Sequence, residues 1–176
     1  RSVQHAAVTA TGLRDRGVLA GRMTVLDPVR PGAQPLPFMM PHMAYAVCRY
    51  DAAIEPLYIK AELDAEGWSL SLHGPSGDNF HLVPGSASRL TPVELILIPP
   101  GNSFYAHRPE LLFGNEQIPE IKLAASEGLM VIRAPVRSAA HRLEVSRRLA
   151  ATRCAPDGAG GDGHDPTREI DAAVAR

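Results

Sequence analysis

Two short stretches constrain this chain most. In Leu57–Leu63, the residues Leu57, Ile59, Ala61 and Leu63 alternate with Tyr58, Lys60 and Glu62. In Trp68–Leu72, the residues Trp68, Leu70 and Leu72 alternate with Ser69, Ser71 and the following His73. Successive side chains of a strand point to opposite faces, so a period of two gives one face to a core and the other to water or a partner layer. These stretches belong to a longer series, YAVCRYD, PLYIKAELD and EGWSLSLHGPSGDNFHLV, between Tyr45 and Val83. Gly, Pro, Asp and Asn punctuate the series, as tight connections between antiparallel strands require. Asp64–Gly67 is read as a hairpin, with Gly67 supplying the positive φ. Gly74–Asn79 is read as the next turn, after which Phe80 and Leu82 resume the inward face.

The flanking segments are read as covers and ties for this sheet. Met23–Leu26 suits a short strand, closed by Asp27-Pro28. Pro28, Pro31, Pro35, Pro37 and Pro41 dictate an extended connection that cannot be a ladder strand. Leu36, Phe38, Met39 and Met40 give that connection an apolar side to lay on the sheet. Val93–Ile98, VELILI, reads as a strand buried on both faces. Residues 101–118 form a long irregular excursion. Ile121, Leu123 and Ala125 alternate again, and Leu129–Ala134 reads as the second strand of a final hairpin. A helix follows, with Ser138 as N-cap and Ala139, Leu143, Ser146 and Ala150 in one stripe beside Leu149. Glu144 and Arg148 form an i,i+4 pair, and Arg147, Arg148 and Arg153 suit the negative end of the helix dipole.

Composition narrows the function classes. Sixteen Pro and fifteen Gly among 176 residues favour many short elements over a helical bundle. The net charge of −1, with both signs interspersed, offers no attraction for nucleic acid. Nine aromatic residues in all leave little for base stacking. No apolar run approaches the roughly 20 residues that span a bilayer. The sequence begins at Arg1 rather than Met, so a preceding segment is expected, either removed or missing for another reason.

Few residues carry candidate chemistry. Cys48 lies in a strand and Cys154 just after the helix. If the helix end lies over that strand they can bond, closing a loop worth about 4.7 kcal/mol of chain entropy and requiring an oxidising compartment. The alternative is a buried thiol at 48 and an exposed one at 154. Arg49 and Arg133 sit in strands, where a buried head needs a partner. Asp51, Asp78 or Glu94 can supply a structural ion pair, which is the expected arrangement. The other is a polar ligand pocket built from Arg49, Asp78, Asn79 and Arg133. His73 and His81 are both expected on the outward face. Two histidines fall short of a zinc site, even with Asp78, His42 or His107 nearby, so no metal is expected. No cofactor fingerprint and no nucleophile elbow occurs. Ser103 and His107 share a loop without an orienting motif.

Taken in order, YAVCRYD, WSLSLHGPSGDNFHLV, VELILIPPG and EGLMVIRAPV followed by a helix ending at Cys154 resemble a family of uncharacterised bacterial envelope proteins. This is the domain-of-unknown-function family numbered twelve-fifty-four, in its short membrane-anchored form. The likeness covers roughly residues 22–154, and CRYD at 48–51, the Trp68 strand, GDNF at 77–80 and VIRA at 131–134 are its most specific pieces. It implies a β-rich, sandwich-like domain on the periplasmic side of the inner membrane, held by an N-terminal anchor that this sequence lacks. It brings no substrate and no catalytic residue.

The chain is therefore expected to be mainly β: one antiparallel sandwich-like domain of about seven strands, with a C-terminal helix packed on the sheet. Residues 1–21 are expected to be a tether or short helix, 22–154 the domain, and 155–176 a Gly-rich disordered tail. The expected role is a non-catalytic module that binds a protein partner in the cell envelope or a small ligand, without cofactor. The alternative is a hydrolase with a polar site at Asp78, Asn79, Arg49 and Arg133.

Overall fold

The computed structural model describes residues 13, 18, 20–30, 32, 34, 39–101 and 118–156. The expected N-terminal helix, the body of the 101–118 excursion, Leu36, Phe38 and the Gly-rich tail beyond Pro156 lie outside them. Among the described residues, nine strands and one helix form a mainly β sandwich. The strands are β1 (Thr24–Val25), β2 (Met43–Asp51), β3 (Leu57–Leu63), β4 (Ser69–His73), β5 (Asn79–Pro84), β6 (Thr91–Ile98), β7 (Glu120–Lys122), β8 (Glu127–Pro135) and β9 (Arg153–Pro156). The helix α1 spans Ala139–Ala150.

The first sheet has the order β1-β2-β8-β4-β5 and the second β7-β6-β3-β9. All pairings are antiparallel except β6 with β7, which is parallel. The alternating residues meet between the layers. Ala44, Ala46, Cys48, Leu70, Leu72, Met130 and Ile132 from the first sheet pack on Leu57, Ile59, Ala61, Leu63, Leu95 and Leu97 from the second. Period-two patterning thus fills a single core, as it must when two half-apolar sheets stack. Val93–Ile98 is buried on both faces only in its second half, where Ile96 and Ile98 meet Ile118 on the outside.

Two connections differ from the sequence reading. Asp64–Gly67 joins β3 to β4, but these strands belong to different sheets, so the segment is a corner and no hairpin. Gly67 does adopt φ 87°, and a Cβ there would meet Pro135 Cγ at 2.7 Å. The strand containing Leu129–Ala134 does not pair with Ile121. It is β8, at the centre of the first sheet, while β7 lies on the edge of the second. A short turn cannot specify whether the chain returns to its own sheet or crosses to the other, because both strands present the same alternation. The strand count rises from about seven to nine; the strand that the sequence reading left out is four-residue β9, too short to show a period, whereas β1 and β7 fall where Met23–Leu26 and the Ile121–Ala125 alternation were read.

Helix α1 crosses from β8 in one sheet to β9 in the other and lies against β1 and β2. Ser138 caps it, its hydroxyl accepting from the His141 N–H at 3.1 Å. Its buried face is Val145 and Leu149, four residues apart, whereas Leu143 of the expected stripe is 55% exposed. Leu143 lies two residues from Val145, about 200° around the helix, so the two cannot share a face. Arg148 bonds Asp64 at 2.8 Å and Glu144 at 3.4 Å, exposed pairs of small energetic weight.

Beyond the helix, β9 pairs with β3, and Cys154 is disulfide-bonded to Cys48 of β2 with a Cα separation of 6.5 Å. The bond therefore bolts one sheet to the other through the core. Stable disulfides form in oxidising compartments, which indicates a domain that matures outside the cytosol. Among the described residues no helix is long and apolar enough to cross a membrane.

Candidate functional site

The registers place the outward side chains of the first sheet in three rows. One row runs Arg49–Leu129–His73–Asn79, the next Val47–Val131–Ser71–Leu82, and the third Tyr45–Arg133–Ser69–Pro84. The β2 end of these rows is covered. Val29, Met39 and Met43 pack with Tyr45. Leu13 and Val18 pack with Val47, and the Gly21 N–H donates to the Arg49 carbonyl at 2.8 Å. Among the described residues, none covers the β4–β5 end. Leu82, Pro84, Asn79, Phe80 and Arg133 are exposed there, with Ser71 and His73 half-buried.

The four residues expected to line a pocket do not converge. Arg49 and Asn79 stand at opposite ends of one row, three strand spacings or roughly 14 Å apart along the sheet. Arg133 lies four residues along β8 from that row, about 13 Å. The expected ion pairs take other forms. Glu94 bonds Lys60 at 3.0 Å on the second sheet. Asp51 accepts from the Ala53 N–H at 3.0 Å. Arg133 Nε donates to the Ser69 hydroxyl at 2.8 Å, so its head leans over β4. Among the described residues no ion pair involves Arg49 or Arg133.

Asp78 is held by its own turn. Gly74–Asp78 closes with the Gly77 N–H on the Gly74 carbonyl at 3.0 Å and the Gly74 N–H on the Asp78 carbonyl at 2.9 Å. The Ser76 hydroxyl donates to the Asp78 carboxylate. That bond, then the backbone N–H of Asp78, and lastly the nearby His73 ring lower the carboxyl below the usual range, so it is ionised.

His73 Nε2 lies 2.9 Å from the Ser71 hydroxyl, and its Nδ1 3.4 Å from the Gly77 carbonyl. The Ser71 hydroxyl is placed to donate to the Val131 carbonyl at 3.3 Å or to His73 Nε2, and the His73 tautomer decides between them. His81 is not on the same face. It pairs with Leu72 and turns inward, and its buried Nε2 has no hydrogen-bond partner. The cause is an irregularity at Leu72/His73, where the register moves from His81 directly to Asn79 and leaves Phe80 unpaired. For the same reason Phe80 and Leu82, expected inside, are 41% and 54% exposed. Among the described residues no group of three or more His, Cys, Asp or Glu is arranged to hold a metal ion.

One buried polar group escaped the sequence reading. Tyr50 faces Gly128 across the β2–β8 pair, and its hydroxyl donates to the His73 carbonyl at 3.0 Å. Burial, aided by the charge of Asp78, pushes its phenol up to about 12. The folded state thus holds the proton that the unfolded chain loses near its ordinary value of 10.0. This contribution is fully present below pH 10 and is lost as pH rises from 10 to about 12, on the order of 2 kcal/mol in all. Urea titrations across that window should show a downward slope in the native protein. The slope should flatten in Tyr50→Phe, whose ring cannot ionise.

No protein-family model and no curated protein matches the chain. Solved structures do show similarity. The VPA0106 protein from Vibrio parahaemolyticus matches with a TM-score of 0.63 at 7% identity, over 92% of this chain and 38% of that one. An uncharacterised protein from Burkholderia cenocepacia matches at 18% identity over 65% of this chain and 32% of that one, with a TM-score of 0.34, which carries no argument. The chain spans little more than a third of the length of VPA0106, and the likeness is one of fold. What the comparisons establish is a β-rich domain similar in fold to a bacterial protein.

Proposed function

We propose that this chain is a non-catalytic interaction module of the bacterial cell envelope, tethered on the periplasmic side of the inner membrane, whose open β4–β5 end binds a protein. The observation that carries the reading is the contrast between the two ends of the first sheet. One is covered by Leu13, Val18, Val29, Met39 and Met43, while the other presents Phe80 and Leu82 to solvent on an edge that is unpaired among the described residues. Exposed edges and apolar side chains together are a template for another chain. The disulfide supports the extracytoplasmic setting. The order of CRYD, GDNF and VIRA supports kinship with the short envelope family, and the fold likeness to VPA0106 is consistent with it.

The hydrolase reading draws on Ser71, His73 and the ionised Asp78, which lie close together. The dispersal of Arg49 and Arg133 along the sheet weighs against it. The test is a photo-reactive residue at Leu82 in the protein expressed in its own compartment. The binding reading predicts protein adducts on irradiation, and far fewer from a control at exposed Ile54. An absence of adducts at Leu82 overturns it.

A further inference from the structure

We propose that the Cys48–Cys154 bond is made on a sandwich that has already formed, and that a disulfide donor enters it through Cys154 on an undocked β9. Cys154 is then the site of modification and Cys48 the thiol that resolves it. The inference goes beyond the binding reading and does not depend on it.

The two sulfurs sit on elements of unequal security. Cys48 lies in nine-residue β2, which pairs with β8 along its whole length and with β1 at the neighbouring Val47. Cys154 lies in four-residue β9, at the edge of the second sheet. Among the described residues, only four register positions on β3 hold that strand, and its last member, Pro156, has no N–H to offer. The Arg153 guanidinium, 5.8 Å from the centroid of the Tyr58 ring, adds one partly exposed contact.

Membership of the core shows what can form without the bond. Cys154 is the only buried member of the main cluster that follows α1; all the others lie between Ala44 and Leu149. The two layers therefore share a core to which β9 adds one side chain. Opening of a folded protein begins at its least secured element, and here that element is β9. Once β9 lifts from β3, Cys154 moves into solvent with it, whereas Cys48 stays on a strand paired on both sides.

The closed structure dictates the order of events. Cys48 is 0% and Cys154 3% exposed, so neither sulfur offers a donor any approach once β9 is docked. The donor must meet the chain while β9 is free. The Cys154 thiolate attacks one sulfur of the donor disulfide, a bond forms between them, and the donor's second sulfur leaves as a thiolate. As β9 returns toward its register with Ile59 opposite Cys154, the Cys48 thiolate attacks the Cys154 sulfur and expels the donor's remaining thiolate. Two protein thiols are oxidised, one donor disulfide is reduced to two thiols, and the protons lost by the cysteines end on the donor sulfurs. This sequence has no third cysteine to compete as the resolving thiol.

The full 176-residue chain is used for the test, with glutathione disulfide as the donor. Reduced wild-type protein, given a limiting pulse of iodoacetamide under native conditions, should be alkylated at Cys154 well before Cys48. The variants Cys48→Ala and Cys154→Ala give the rates with the donor itself. In native buffer, Cys154 of the first should gain glutathione about tenfold or more faster than Cys48 of the second. In urea strong enough to unfold both variants, the two rates should converge. Thermal melts establish that the reduced wild type and each variant are folded. Cys48 labelled first in the wild type, or equal rates for the two folded variants, overturns the proposal. A reduced wild-type chain without a cooperative melt overturns it as well, because the sandwich would then not precede the bond.

Discussion

Replacing Cys48 and Cys154 together by Ala should cost about 2–5 kcal/mol of stability, the range seen when a native disulfide is removed. The sequence separation is 106 residues, long enough for the chain-entropy account to give about 4.7 kcal/mol. The location adds to the effect. Strand β9 is a four-residue edge strand that, among the described residues, pairs only with β3. It is the last described element, and its hold on the first sheet is the bond to Cys48. Without that bond, β9 and the end of α1 should open before the rest. Hydrogen exchange should show this as lost protection at Arg153–Ala155 and their β3 partners, with β4 and β8 unchanged. Urea titration supplies the magnitude, and treatment of the native protein with a dithiol should reproduce both results.

Gly128→Ala should be nearly as damaging, at roughly 3 kcal/mol, the upper end of overpacking costs. Gly128 sits directly opposite Tyr50, and the tyrosine ring passes over it to reach the His73 carbonyl on β4. A Cβ at 128 would collide with both the Tyr50 phenol and the His73 backbone oxygen. The ring end can shift, but the carbonyl belongs to a central ladder and cannot. The double variant Tyr50→Leu/Gly128→Ala should therefore be less destabilised than the sum of its singles, and thermal melts of all three measure that non-additivity.

The sequence made the faces legible and left the partners obscure. Leu57, Ile59, Ala61, Leu63, Trp68, Leu70 and Leu72 are all buried as their alternation required, because burial of one face is a local property of a strand. Which strand pairs with which is decided over long distances. The placement of β8 between β2 and β4, and of β3 in the opposite sheet from β4, left no local mark. At the candidate site the single irregularity at Leu72/His73 reversed the facing of Phe80, His81 and Leu82. A one-residue slip turns every following side chain over, and only the partner strand reveals it. Arg133 was identified as needing a partner, which proved to be Ser69 on a neighbouring strand instead of a carboxylate. The Cys48–Cys154 pairing was within reach of the sequence, since one cysteine lay in a strand and the other at a helix end bound to pack nearby.

Everything said about location and about the joining of the two layers rests on that last bond. Mass spectrometry of non-reduced peptides, from protein isolated in its native compartment with thiols blocked at lysis, tests it directly. A Cys48–Cys154 linked peptide that separates on reduction is the expected result. Both cysteines recovered as blocked free thiols in the folded protein would contradict the account.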